Sequence, residues 1–268
     1  MNYIGEEPAL AAPPALDLPV ELRSHVSGLR TSVNATDPSN DIDIAPGRIV
    51  DTSHTTWLTL AAALTKRLDA LWAVGTDQGG LDQGAKAINT LYAVWLIRRG
   101  DTGVVDVLFS TSFFSPAMPA GYTRKALIGS VRADASGNIV QFFQHGDWFY
   151  YSVYINFAAI ATSAVTPVYY QPFVPPVAAT MKLHVLVDYT YPNSINSGCY
   201  GYLRLDPAIE WAFYNHLSTG NTQAARHASV IEVPVVGDLY SYRTLVGSAS
   251  SANFYLYVHG FSMNRGDL

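Results

Sequence analysis

Across most of the chain, apolar and polar residues alternate with a period of two. Clusters of Gly, Pro, Asn, Asp and Ser break this alternation at a spacing of about a dozen residues. Met181, Leu183, Val185, Val187 and Tyr189 share one face of an extended segment, with Lys182, His184 and Asp188 on the other. The same alternation sets Cys199, Gly201, Leu203 and Leu205 against Tyr200, Tyr202 and Arg204, and Phe254, Leu256 and Val258 against Tyr255, Tyr257 and His259. Trp211, Phe213 and Leu217 alternate with Tyr214 and His216, and Ile231, Val233 and Val235 alternate with Glu232 and the edge-favouring Pro234. Between residues 91 and 151, three apolar and β-branched runs (92–97, 104–109 and 139–143) are separated by turn clusters. Arg99 to Gly103 closes a first hairpin there, and Asp134 to Asn138 a second. The pattern predicts an all-β fold, an antiparallel jelly-roll-like sandwich with at most one or two short helices.

The alternation fails in three places. Residues 1–47 hold Pro8, Pro13, Pro14, Pro19, Pro38 and Pro46 among Ala and Leu, which predicts an extended N-terminal arm lying along the domain or a neighbouring subunit. Val20, Leu22, Val26 and Leu29 share a helical face and allow one short helix over 19–29. After a strand at 57–60, Leu64, Leu68, Leu71 and Trp72 recur at helical spacing; they predict a helix over 62–73 with Lys66, Arg67 and Asp69 on its wet side. Gly75, Gly79, Gly80 and Gly84 mark a plain loop, because they lack the Gly-Lys-Ser/Thr of a phosphate loop and precede a strand. Asp37, Asn40, Asp41 and Asp43 miss the calcium-loop template and read as Asx turns. Pro167, Pro172, Pro175 and Pro176 mark a sheet-to-sheet crossing or an edge. The expected organisation is therefore an arm over 1–47 and one sandwich domain over 48–268, with any subdivision near 150–178.

Composition narrows the function classes. Charged residues make up only 14% of the chain, a fraction better suited to a surface packed against other chains than to one alone in water. The net charge of −5 and the lack of a basic stripe exclude a nucleic-acid partner from the expectations. One cysteine, Cys199, makes no internal disulfide, no apolar run reaches membrane-spanning length, and the N-terminus lacks a signal-peptide pattern. Synthesis in a reducing cytoplasm is expected, with no membrane partner. The seven His lack metal-ligand spacing, no Gly-x-Ser-x-Gly elbow occurs, and glutamates are few, so no catalytic residue, metal or cofactor is expected. The Arg-Gly-Asp tripeptides at 99–101 and 265–267 read as turn chemistry.

An ordered set of motifs over roughly residues 40–150 carries a family resemblance. It runs from Leu64-Thr-Lys-Arg-Leu-Asp-Ala-Leu-Trp-Ala-Val-Gly75 and Gly79-Gly-Leu-Asp82 through Tyr92-Ala-Val-Trp-Leu-Ile97. It continues with Asp101 to Ser110, Met118-Pro-Ala-Gly-Tyr122, Ile128-Gly-Ser130 and Gln144-His-Gly-Asp147. The set resembles a module of tail and tail-fibre-like virion proteins of tailed bacteriophages. The resemblance implies a non-enzymatic virion component that attaches a fibre or decorates the particle, with no catalytic residues. The expected partners are the chain itself, as a homo-oligomer with a trimer favoured, and other virion proteins through the arm. The alternatives are an adhesin domain binding a receptor or host surface glycan and, third, a polysaccharide depolymerase. Tyr200, Tyr202, Tyr255 and Tyr257, opposite the apolar residues of their strands, are the expected contact residues.

Overall fold

The computed structural model describes residues 25–160, 166–191, 198–206, 209–213, 223–235, 239–246 and 251–265. All regular elements among them are strands. In the first half these are β1 (Val26–Gly28), β2 (Thr31–Val33), β3 (Asp41–Ile44), β4 (Gly47–Val50), β5 (Trp57–Leu60), β6 (Leu64–Leu71), β7 (Gln78–Leu81), β8 (Leu91–Arg99), β9 (Val105–Ser110) and β10 (Tyr122–Arg132). The second half adds β11 (Phe142–His145), β12 (Trp148–Ile160), β13 (Thr166–Val168), β14 (Ala178–Tyr191) and β15 (Gly198–Asp206). The last four are β16 (Ile209–Phe213), β17 (Gln223–Pro234), β18 (Leu239–Val246) and β19 (Ser251–Met263).

Strand β8 sits inside a seven-stranded sheet of order β10-β8-β9-β7-β6-β3-β2. Residues 91–97 are buried on both faces, which is why this strand reads as a continuous apolar run instead of an alternating one. One face carries Leu91, Ala93, Trp95 and Ile97 into a core shared with Phe149, Met181, Leu183, Leu256, Val258 and Phe261 of a five-stranded sheet, order β11-β12-β19-β14-β17. The opposite face carries Tyr92, Val94 and Leu96 into a second core, closed by Ile49, Leu58 and Leu60 of a three-stranded sheet, order β1-β4-β5. A four-stranded sheet, order β13-β18-β15-β16, completes the described strands. The chain is thus all-β, with sheets packed face to face as the periodicity requires.

Both anticipated hairpin turns form. Gly103, at φ +76°, donates its N–H to Arg99 O between β8 and β9. Asp134 Oδ1 accepts the N–H groups of Ser136 and Asn138 around Gly137, at φ +82°. The proline-rich stretch after β13 crosses from the four-stranded to the five-stranded sheet. Tyr151 donates its hydroxyl to Phe173 O at 2.9 Å, and Arg132 Nε donates to Pro172 O at 3.1 Å, which clamps the crossing.

Four expectations are corrected. The segment predicted as a helix over 62–73 is the strand β6, with Lys66 and Leu68 inward and Arg67 and Asp69 outward. Leu64 and Leu68 fit either period, whereas Leu71, 59% exposed, fits only the helical one; pairing with β3 and β7 decides for the strand. Lys66 is fully buried instead of wet: its ammonium lies 3.2 Å from Asp106 Oδ1 and donates to Ala73 O and Gly75 O. The glycine loop holds β7, which runs parallel to β6 and β9 and makes the otherwise antiparallel sheet mixed. A Cβ on Gly79 would stand 2.0 Å from Leu71 O, and one on Gly80 2.5 Å from the Phe109 ring, so close approach of a backbone explains the first glycine and of a packed ring the second. Finally, residues 26–47 of the predicted arm are built into β1 to β4, paired with the domain's own strands. In the 19–29 helix, Val26 lies in β1, while residues 1–24 lie outside the described residues.

The candidate contact face

The five-stranded sheet has one face in the core and one turned away from it. Phe149 and Tyr151 of β12, Met181 and Leu183 of β14, and Leu256 and Val258 of β19 are buried. Strand alternation therefore turns Trp148, Tyr150, Lys182, His184, Tyr255 and Tyr257 outward, and each is half-buried. Register brings them together. Gly260 stands opposite Tyr150 on one side and Lys182 on the other. With no Cβ on Gly260, the Tyr150 ring lies across it, because an added Cβ would meet Tyr150 Cδ1 at 3.2 Å. A register shift between Lys182 and Leu183 leaves His259 as the extra residue of β19, and its ring meets Tyr150 edge-on at 5.8 Å.

The result is a cluster of rings around one cation. Lys182 Nζ lies 4.6 Å from the Trp148 ring centroid and 5.3 Å from that of Tyr150, and those two rings stack at 5.6 Å. Glu232 Oε1 of β17 receives the ammonium at 3.0 Å, and this hydrogen bond holds the Lys182 pKa above its ordinary value. Burial, reinforced by the charge of Lys182, pushes the His259 pKa down. Tyr257 lies 6.0 Å from His184 across the β14–β19 pair. Phe143, 57% exposed, stacks on His145 at 6.5 Å in the neighbouring β11. Chemically, this is a wide aromatic surface whose charges are already matched, suited to burial against another surface.

The four tyrosines expected to form one contact row belong to two sheets. Tyr255 and Tyr257 are on β19 of the five-stranded sheet, where Tyr257 lies against His184 on the same outer face as the cluster. Tyr200 and Tyr202 are on β15 of the four-stranded sheet, where Tyr202 stands opposite Tyr242 and Ala212; their side chains lie outside the described residues. Trp148, Tyr150, Lys182 and Glu232 were not singled out from the sequence as contact residues. Their orientation is legible in the alternation, but their convergence depends on register.

The other expected features resolve into structure. Arg99 pairs with its own Asp101 at 2.8 Å. Arg265, 8% exposed, donates to Asp147 Oδ1 at 2.9 Å and Leu29 O at 3.4 Å, tying the end of β19 to the β1–β2 corner. Asp37 Oδ1 accepts the Ser39 and Asn40 N–H groups as an Asx turn, while Asp41 and Asp43 lie on β3. Among the described residues, no group of three His, Cys, Asp or Glu is placed to hold a metal ion, and no helix is long and apolar enough to cross a membrane.

No protein-family model matches the chain, and no curated protein matches it. Among solved structures it is similar to a chain of the T13 viral particle of infectious bursal disease virus, at 11% identity and a TM-score of 0.26, covering 88% of this chain and 70% of that one. It is also similar to a chain from the Gx strain of that virus, at 13% identity and a TM-score of 0.27, covering 91% and 74%. A third likeness is to the VP2 subviral particle of the same virus, at 11% identity and a TM-score of 0.25, covering 88% and 72%. Likenesses of this size leave the functional reading to the chain's own residues.

Proposed function

We propose that this chain is a structural component of a virus particle, of the tail-fibre-like, fibre-attachment or decoration kind found in tailed phages. It acts by protein–protein assembly and not as an enzyme. The observation that carries this reading is the outer face of the five-stranded sheet, where Trp148 and Tyr150 gather beside a Lys182 already matched by Glu232 and Tyr257 lies against His184. Aromatic area with neutralised charge is the composition of a protein interface core. A low charged fraction over the whole chain points the same way, as does the ordered set of phage-like motifs between residues 40 and 150. A glycan site is the second reading, but it is less well served: Lys182 already occupies ring area that a sugar would stack on. The particle-bound form is taken to be a symmetric homo-oligomer, with a trimer favoured.

The test is light scattering on the full chain at micromolar concentration, comparing the parent with a Trp148→Ala, Tyr257→Ala double variant. The parent should self-associate, and the variant should remain folded but shift toward the 29.1 kDa monomer. A parent that is a well-behaved monomer would count against the reading. Unchanged assembly with lost binding to host-cell polysaccharide would replace it with the receptor reading.

A further inference from the structure

The outer face of the five-stranded sheet carries histidines among its aromatic rings. His184 of β14 and His259 of β19 are each half-buried there. His184 stands opposite Tyr257, two residues along β14 from Lys182. His259, the extra residue at the bulge, meets the Tyr150 ring edge-on at 5.8 Å. The flanking strands add Trp148 and Tyr150 from β12, Glu232 from β17, and an exposed His145 from β11, opposite Trp148. Asp147, in the turn between β11 and β12, is matched by Arg265.

These groups balance in charge only while the histidines are neutral. Glu232 is taken by the Lys182 ammonium at 3.0 Å. The charges that act on His259 are those of Lys182 and His184, and both oppose its protonation. An imidazolium covered by another surface at this place is a desolvated charge with cations for neighbours, which costs far more than leaving it in water. Histidine is also the side chain whose charge changes between about pH 5 and 8.

We propose that this face is acid-labile: it holds neighbouring subunits together near neutral pH and releases them on acidification, when His184 and His259 take up protons beside Lys182. The inference rests on the assembly reading above and adds its regulation. The sign follows from linkage. Contact keeps the histidines neutral and release lets them protonate, so dissociation takes up protons. Association is therefore fully present above the pKa of the released histidines and weakens as pH falls through it, by up to about tenfold per pH unit for each one. The chain as a whole trends the other way. Its net charge of −5 at pH 7 shrinks toward zero near the pI of about 5.7, which by itself favours association. Dissociation over that interval reports the face and not the net charge.

Size-exclusion chromatography with light scattering, on the full chain at several micromolar concentrations, tests this at about pH 7.5 and about pH 5.0, with tryptophan fluorescence reporting that the chain stays folded. Association of the parent should weaken by about tenfold or more between the two. A His184→Asn, His259→Asn variant and a His184→Phe, His259→Phe variant are each judged by the ratio of their own two association constants, which should stay within about twofold. Independently of any variant, dilution calorimetry of the parent at about pH 6, in buffers of different ionisation enthalpy, should show protons taken up on dissociation. Association in the parent that is unchanged or tighter in acid, variants as acid-sensitive as the parent, or dissociation without proton uptake would each overturn the proposal. An oligomer insensitive to pH defeats this inference alone, whereas a monomer already at about pH 7.5 defeats the assembly reading as well.

Discussion

Removing Asp106 strikes the fold at its one fully buried ion pair among the described residues, and the structure sets the size of the effect. Asp106 Oδ1 receives Lys66 at 3.2 Å and the Val107 N–H at 2.6 Å, and Oδ2 receives the Gly75 N–H at 2.9 Å. Asp106→Ala therefore leaves a buried ammonium without its counter-charge and frees two backbone donors. Breaking such a pair costs about 3–5 kcal/mol, or a Tm lowered by roughly 6–20 °C for a domain of this size. Burial already depresses the Lys66 pKa, and Asp106 is the group that opposes that depression. Without it the folded pKa falls further below the unfolded value. Between those two values the unfolded chain holds more protons, so stability rises with pH. The deficit of Asp106→Ala should shrink as pH is raised from about 7 toward about 10. Lys66→Met, with no lysine left to titrate, should show a deficit that does not shrink. Thermal unfolding followed by tryptophan fluorescence across that range reads both. An Asp106→Ala protein within about 1 kcal/mol of the parent, or one with a pH-independent deficit, would refute the reasoning.

Two other outcomes follow from groups that tie the sheets together. Gln144 Oε1 accepts both the Thr31 N–H at 2.7 Å and the Thr31 hydroxyl at 2.9 Å, linking β11 to β2; Gln144→Ala should cost about 1–3 kcal/mol in a denaturant titration, by stranding a buried donor. The depressed His259 pKa means that the folded state resists protonation there, so stability falls as pH drops below the unfolded histidine value of about 6.5. Tm measured from pH 7.5 down to 5 should fall less steeply in His259→Asn than in the parent.

Strand identity was legible wherever the period was unambiguous. Alternation alone put Met181, Leu183, Leu256 and Val258 inside and Lys182, His184, Tyr255 and Tyr257 outside, and the described side chains obey it. The apolar run at 92–97 marked a strand, and Arg99 to Gly103 and Asp134 to Asn138 marked their turns through local backbone chemistry. Local pattern failed at 64–72, where leucines spaced three and four apart suit a helix but Leu64, Leu68 and Trp72 also fall on alternate positions. Pairing with β3 and β7 settled that choice, and it put Lys66 into the core because Asp106, forty residues later, is there to meet it. The contact face depended on the same kind of long-range information. The pattern shows which way Trp148, Tyr150 and Lys182 point, but only the register of β12, β19 and β14 around Gly260 places them side by side. It equally puts Tyr200 and Tyr202 in a different sheet from Tyr255 and Tyr257. Direction along a strand is a property of the residue and its neighbours in sequence. Adjacency across strands is set by hydrogen-bond register between segments far apart in the chain, and the tertiary fold alone decides it.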